Sequence, residues 1–160
     1  MNTVTRYKVI RKGCYDRYDR KSDFVEEKYF DSVELACAKS DFMRGLAYTV
    51  SVDIVEEEVE ANYFTEHGYS DAYAYEVIRI VSDQTIEVRA MNAEFDFSDC
   101  EFIPGGFSAH CPNPSAQKVT ITSNENAPIE RIRRTKRGWM SGHRRFSITE
   151  KPYAYHDVNF

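Results

Sequence analysis

Residues 31–46, DSVELACAKSDFMRGL, carry the clearest helical period in the chain, and the segments on either side of them decide the fold. Leu35, Ala38, Phe42 and Leu46 recur at the spacing that puts side chains on one helical face, and Ala36 and Met43 widen the stripe. Asp31 is the predicted N-cap, with Glu34 three residues on as in a capping box. Gly45 stands near the predicted C-terminal end, and Lys39 and Arg44 lie on the outer face or near the negative pole of the dipole. Upstream, residues 6–12 and 24–30 read as strands separated by the polar stretch 13–22. Downstream, residues 47–59 alternate Val50, Val52 and Ile54 with polar partners, the period of a half-buried strand. Residues 1–60 are therefore expected to form a β-β-α-β unit, one helix packed on a small antiparallel sheet.

Beyond residue 60 the character changes. Tyr63 to Ser70 reads as a loop around Gly68. Residues 73–81 and 85–91 read as two strands joined by the turn Ser82-Asp83-Gln84, with Ile86, Val88 and Ala90 on one side. An aromatic and acidic stretch follows at 94–103, then the break Pro104-Gly105-Gly106. Residues 117–122, 128–134, 144–149 and 153–156 are short strand candidates, a spacing that predicts a twisted sheet or partial barrel over 61–160. The expected fold class is α+β, in two small subdomains sharing an interface, because sixty residues alone bury little surface. Phe160, ending a run with Tyr155 and Val158, is expected to dock into the core.

Composition supports a folded chain. Its 160 residues are 42% hydrophobic and include 11 Tyr and 10 Phe, rings large enough to build a core without much Leu or Ile. No stretch approaches the roughly 18–20 apolar residues of a membrane span, and residues 1–7 carry no signal-like apolar region. The expected location is the cytoplasm, with Cys14, Cys37, Cys100 and Cys111 as reduced thiols. Charge is divided unevenly. Residues 1–104 hold 12 Lys and Arg against 22 Asp and Glu, whereas residues 105–160 hold nine against four. Such a division points to charged partners or to two complementary halves.

The basic cluster is the leading candidate site: Arg131, Arg133, Arg134, Lys136, Arg137, Arg144 and Arg145, with Trp139, His143 and Phe146 among them and Lys118 nearby in sequence. On a strand, Arg131 and Arg133 share one face and Ile132 marks the other. Lys136-Arg137-Gly138 would turn the chain and return Trp139 and Arg144-Arg145 beside the first strand. That surface suits phosphate backbones, and an aromatic ring beside arginine offers a stacking platform for unpaired bases. A hairpin solvated or paired with the acidic half accounts for the same residues. Glu56, Glu57, Glu58 and Glu60 form an acidic run that reads either as a solvated strand end or as a negative face competing with nucleic acid.

Cys100, His110 and Cys111, with His143 or His156, raise a zinc reading, but they lack the paired spacing of structural sites and adjacent His110 and Cys111 cannot easily share one ion. Nothing in the sequence orients a base onto Cys111, and Gly105-Gly106 fits no phosphate-binding loop. No catalytic, cofactor-binding or metal-binding residue is expected.

The segment Phe102 to Cys111 (FIPGGFSAHC), the strand at Ile132-Arg133, Gly142 to Phe146 and the ending Tyr155-His156-Asp157-Val158-Asn159-Phe160 resemble small uncharacterised accessory proteins of bacteriophages and plasmids. Gly68-Tyr69 and the hairpin from Tyr75 to Met91 are similar to short phage proteins as well. What the resemblance implies is a counter-defence role of the anti-CRISPR or anti-restriction kind: a host defence effector would be bound and its nucleic-acid site occluded. No catalytic residue is implied. The alternative expectation is a nucleic-acid-binding accessory protein using residues 131–146.

Overall fold

The computed structural model describes residues 3–17, 20–105 and 110–159. Strands β1 (Thr3–Arg17) and β2 (Arg20–Phe30) pair antiparallel, and helix α1 (Val33–Arg44) leads to β3 (Thr49–Glu60), which pairs with the other edge of β1. The sheet order is β2-β1-β3. Helix α1 covers one face of it, where Ala36 and Met43 meet Val9, with Tyr7, Phe30, Leu46 and Val52 packed around them. The N-cap is Ser32 rather than Asp31: its Oγ accepts from Leu35 N–H at 3.4 Å and lies 2.9 Å from the Glu34 carboxylate. Gly13 sits at the register shift between β1 and β3, where any Cβ would collide with the Phe24 ring and the Tyr48 carbonyl. Arg11, 7% exposed, spends its guanidinium on Thr49 Oγ1, the Ala47 carbonyl and Glu26.

Six further strands close into an antiparallel barrel: β4 (Tyr63–His67), β5 (Ala72–Ser82), β6 (Thr85–Ala90), β9 (Ile129–Thr135), β10 (Gly138–Ser141) and β11 (Arg144–Thr149). Their order around the wall is β10-β11-β4-β5-β6-β9. A hairpin of β7 (Asn92–Asp96) and β8 (Lys118–Thr122) stands apart from the barrel wall. The barrel is filled by Phe64, Tyr75, Ile86, Val88, Ile132, Trp139 and Phe146, and Val4 of the first sheet and Ala61, just after β3, join the same cluster. Phe64 meets Trp139 and Tyr75 meets Phe146 edge to face, at 5.6 and 5.2 Å between centroids.

These strands correct the expected α+β class. The described residues are mostly β, 58% strand against 10% helical, and the barrel is closed rather than partial. The closing element is β4, read from sequence as a loop. It pairs β11 on one side and β5 on the other, so without it the sheet would keep two open edges. Its strand period is disguised because the inward position after Phe64 is Glu66. That carboxylate is 8% exposed and tolerated because Tyr75 Oη donates to it at 2.7 Å and Arg144 at 3.1 Å.

The C-terminal residues fasten the outside of the barrel. Tyr155 exchanges backbone hydrogen bonds with Ala72, Gln117 Nε2 donates to the His156 carbonyl at 3.0 Å, and Asp157 N–H donates to Asp71 at 2.8 Å. Asn159 binds both the N–H and the carbonyl of Cys111. The expectation for Phe160, and residues 106–109 of the resembling segment, lie outside the described residues. Among the described residues no helix is long and apolar enough to cross a membrane.

Candidate binding surface

Strands β9, β10 and β11 form a three-stranded meander, and barrel geometry sorts their cations into two groups. Side chains alternate between the packed interior and the outer wall. Ile132 and Phe146 point inward, so Arg131, Arg133 and Arg145 point outward. Direct cross-strand partners share a face. Arg133 is opposite Met140, Met140 is opposite Arg145, and Arg145 is opposite His67. One row on the outer wall therefore reads Thr85, Arg133, Met140, Arg145, His67.

Arg133 and Arg145 form no ion pair among the described residues, and neither do exposed Lys136 and Arg137 in the β9–β10 turn. His143 is exposed in the next turn, beside Gly142, whose φ of 61° lies in the left-handed region that glycine adopts without strain. His67 does not add a charge at neutral pH: burial, and then the Arg145 guanidinium opposite, lower its pKa. Its Nε2 lies 2.7 Å from Ser147 Oγ.

The remaining cations are committed elsewhere. Arg131 is paired with Glu87 at 2.9 Å, and Glu87 also holds Arg79 at 3.1 Å. Lys118 is paired with Asp99 on the separate hairpin, at 2.6 Å. Arg144 turns into one mouth of the barrel, where it meets Glu66 at 3.1 Å, Tyr75 Oη at 3.2 Å and Glu130. Burial and the Glu66 carboxylate push the Tyr75 hydroxyl pKa well above its ordinary value, so it stays a proton donor in this cluster.

Arg134 turns into the opposite end and joins the two sheets. Its guanidinium donates to the Asp31 carbonyl at 2.6 Å and to the Thr5 carbonyl, and it lies 5.5 Å from the Tyr7 ring centroid. A groove of about 450 Å³ opens beside this junction, lined by both signs of charge, Glu34 and Asp83 with Arg134 and Lys136. Trp139 is fully buried in the barrel, so it presents no ring for stacking.

No protein-family model, no curated protein and no solved structure matches this chain.

The acidic residues lie on a different body of the molecule. Glu56, Glu58 and Glu60 are exposed at the end of β3, while Glu57 is drawn to Arg6 at 2.9 Å on the neighbouring strand. The ion pairs of the basic meander run to Glu66, Glu87 and Glu130 of the barrel itself rather than to the acidic strand. Among the described residues no group of three or more His, Cys, Asp or Glu could hold a metal ion.

His67 and Met140 are the members of the outer row that sequence reasoning missed. The signal was present for His67: once Tyr63–His67 is read as a strand, Tyr63, Thr65 and His67 fall together on the face opposite Phe64.

Proposed function

We propose that this chain binds the phosphate backbone of nucleic acid with the outer wall of its barrel. The observation that carries the reading is the cross-strand row holding Arg133 and Arg145, flanked by Lys136 and Arg137, with no ion pair among the described residues. Cations that are exposed, unpaired and held on a rigid sheet can neutralise phosphates and release counterions with little ordering cost. With Trp139 and Phe146 turned into the core, the wall offers charge rather than rings, which favours backbone contact over capture of unpaired bases.

The test is binding of a fluorescent duplex measured against salt. Arg133→Ala with Arg145→Ala is expected to reduce the slope of log K against log salt by up to about 2, near 0.9 per lost phosphate contact. Arg131→Ala, which removes a cation already held by Glu87, should change the slope less. Absence of duplex binding by the unmutated chain at low salt would sink the reading.

A second reading rests on the exposed Glu56, Glu58 and Glu60. A negative strand beside a positive wall suits a cytoplasmic counter-defence protein that occupies the nucleic-acid groove of a host effector, in keeping with the resemblance to phage accessory proteins. Co-purification of such an effector, lost on reversing these three charges, would favour this reading over direct nucleic-acid binding.

A further inference from the structure

The chain segments on either side of residues 104–109 are fastened to each other. Ile103 and His110 form an antiparallel bridge with reciprocal backbone hydrogen bonds of 2.8 and 3.0 Å. Asn113 makes a second tie: Glu101 N–H donates to its Oδ1 at 2.8 Å, and its Nδ2 donates to the Asp99 carbonyl at 3.1 Å. Cys111 Sγ, 3.5 Å from Asn113 Oδ1, and the N–H of Glu101, 2.8 Å from the same oxygen, converge on one atom, which brings the Cys111 thiol beside the residue that follows Cys100. Cys111 is held on all sides, its backbone by Asn159 at 2.8 and 3.2 Å and its Sγ 3.5 Å from Asn113 Oδ1. It is 1% exposed, whereas Cys100 is partly exposed, and both are free thiols.

We propose that Cys100 and Cys111 are an oxidisable pair that closes into an intramolecular disulfide, with a low-molecular-weight disulfide as the oxidant. The accessible Cys100 thiolate attacks one sulfur of the oxidant, forming a mixed disulfide and releasing the first small thiolate. The Cys111 thiolate then attacks Cys100 Sγ, the second small thiolate leaves, and the two cysteine protons end on the two released thiols. The protein loses two hydrogens and the oxidant is reduced to two thiols. Burial and the neighbouring Cys111 raise the Cys100 pKa, so closure is slow near neutrality and accelerates as the pH rises. Closure joins covalently two segments that the fold already holds in register, and one of them carries the Asn159 fastening.

The test incubates the full-length protein with oxidised glutathione, followed by alkylation and non-reducing peptide mapping. The expected result is a peptide pair linked through Cys100 and Cys111, a mass lower by two hydrogens, and Cys14 and Cys37 still alkylated. Cys111→Ser should stop at a glutathione adduct on Cys100. Linking in native buffer should be faster than in denaturant by on the order of tenfold or more, because the fold supplies the proximity. Links scattered among all four cysteines, equal rates in buffer and denaturant, or four alkylatable thiols after oxidation would each overturn the proposal.

Discussion

Asp31 occupies the joint between the first sheet and the barrel, where its carboxylate accepts a hydrogen bond from the Ile148 N–H and its own carbonyl receives Arg134. Burial pushes its pKa up to about 6, against the opposing pull of that hydrogen bond and of Arg134, Arg6 and Arg145. The native state thus binds the Asp31 proton more tightly than the unfolded chain does. Its stabilising effect is complete below about pH 4 and is lost as the pH rises through 6. A two-unit shift corresponds to about 3 kcal/mol at most. Urea unfolding of Asp31→Asn should lack the part of the decline between pH 4 and 7 that the unmutated chain shows; identical pH profiles would contradict the assignment. Trp139 makes a second residue-level case. It fills the barrel against Phe64, yet its Nε1 has no hydrogen-bond partner among the described residues. Trp139→Ala is expected to cost about 3–5 kcal/mol, and Trp139→Phe much less, because it removes the orphaned donor along with part of the ring. Equal losses in denaturant midpoint for the two variants would argue against that account.

At the scale of elements, the described residues of the C-terminal strap are held mainly by hydrogen bonds, with Ala154 the most buried among them at 4% exposure. At roughly 0.5–1.5 kcal/mol each, those bonds make removal of residues 153–160 cost about 2 kcal/mol or more. The deletion should also open the otherwise 1% exposed Cys111 to alkylation, and an unchanged rate of Cys111 labelling would refute the fastening. How legible these elements were depends on how far each keeps a single period. The helix was readable from its spacing but its packed face was not: Phe42 is 59% exposed and Ala38 is exposed, whereas Ala36, Ser40 and Met43 are buried, and Ser32 displaced Asp31 as the cap by one residue. Strand β4 was not, because Glu66 interrupts its inward period and its partners Tyr75 and Arg144 lie 9 and 78 positions away. In the candidate surface, alternation about Ile132 placed Arg131 and Arg133 on one face. The same alternation sets Arg134 on the Ile132 face, but the groups that hold Arg134 and Arg144, in the first sheet and at the barrel mouth, are distant in sequence and leave no local signal. Trp139 lies on a four-residue strand, too short for a period to reveal which way its ring faces.

On the scale of the whole molecule, two bodies share one core. Val4 of the first strand and Ala61 after the third belong to the barrel cluster, and Arg134 clamps the Thr5 and Asp31 carbonyls from the other side. The charge division of the sequence becomes a spatial one, with acidic β3 on the first body and the unpaired cations on the barrel wall. The closure of that barrel by β4 against β11 also sets an order in time. During synthesis, residues 63–67 emerge roughly eighty residues before their partners at 144–149, a separation of the kind that makes pairing slow. Until then β4 can pair only with β5, and Phe64 and Glu66 lack the β11 side of their enclosure. The nascent chain therefore carries an open, partly apolar sheet edge while residues 83–143 are added, which is the interval in which aggregation and chaperone binding compete with folding.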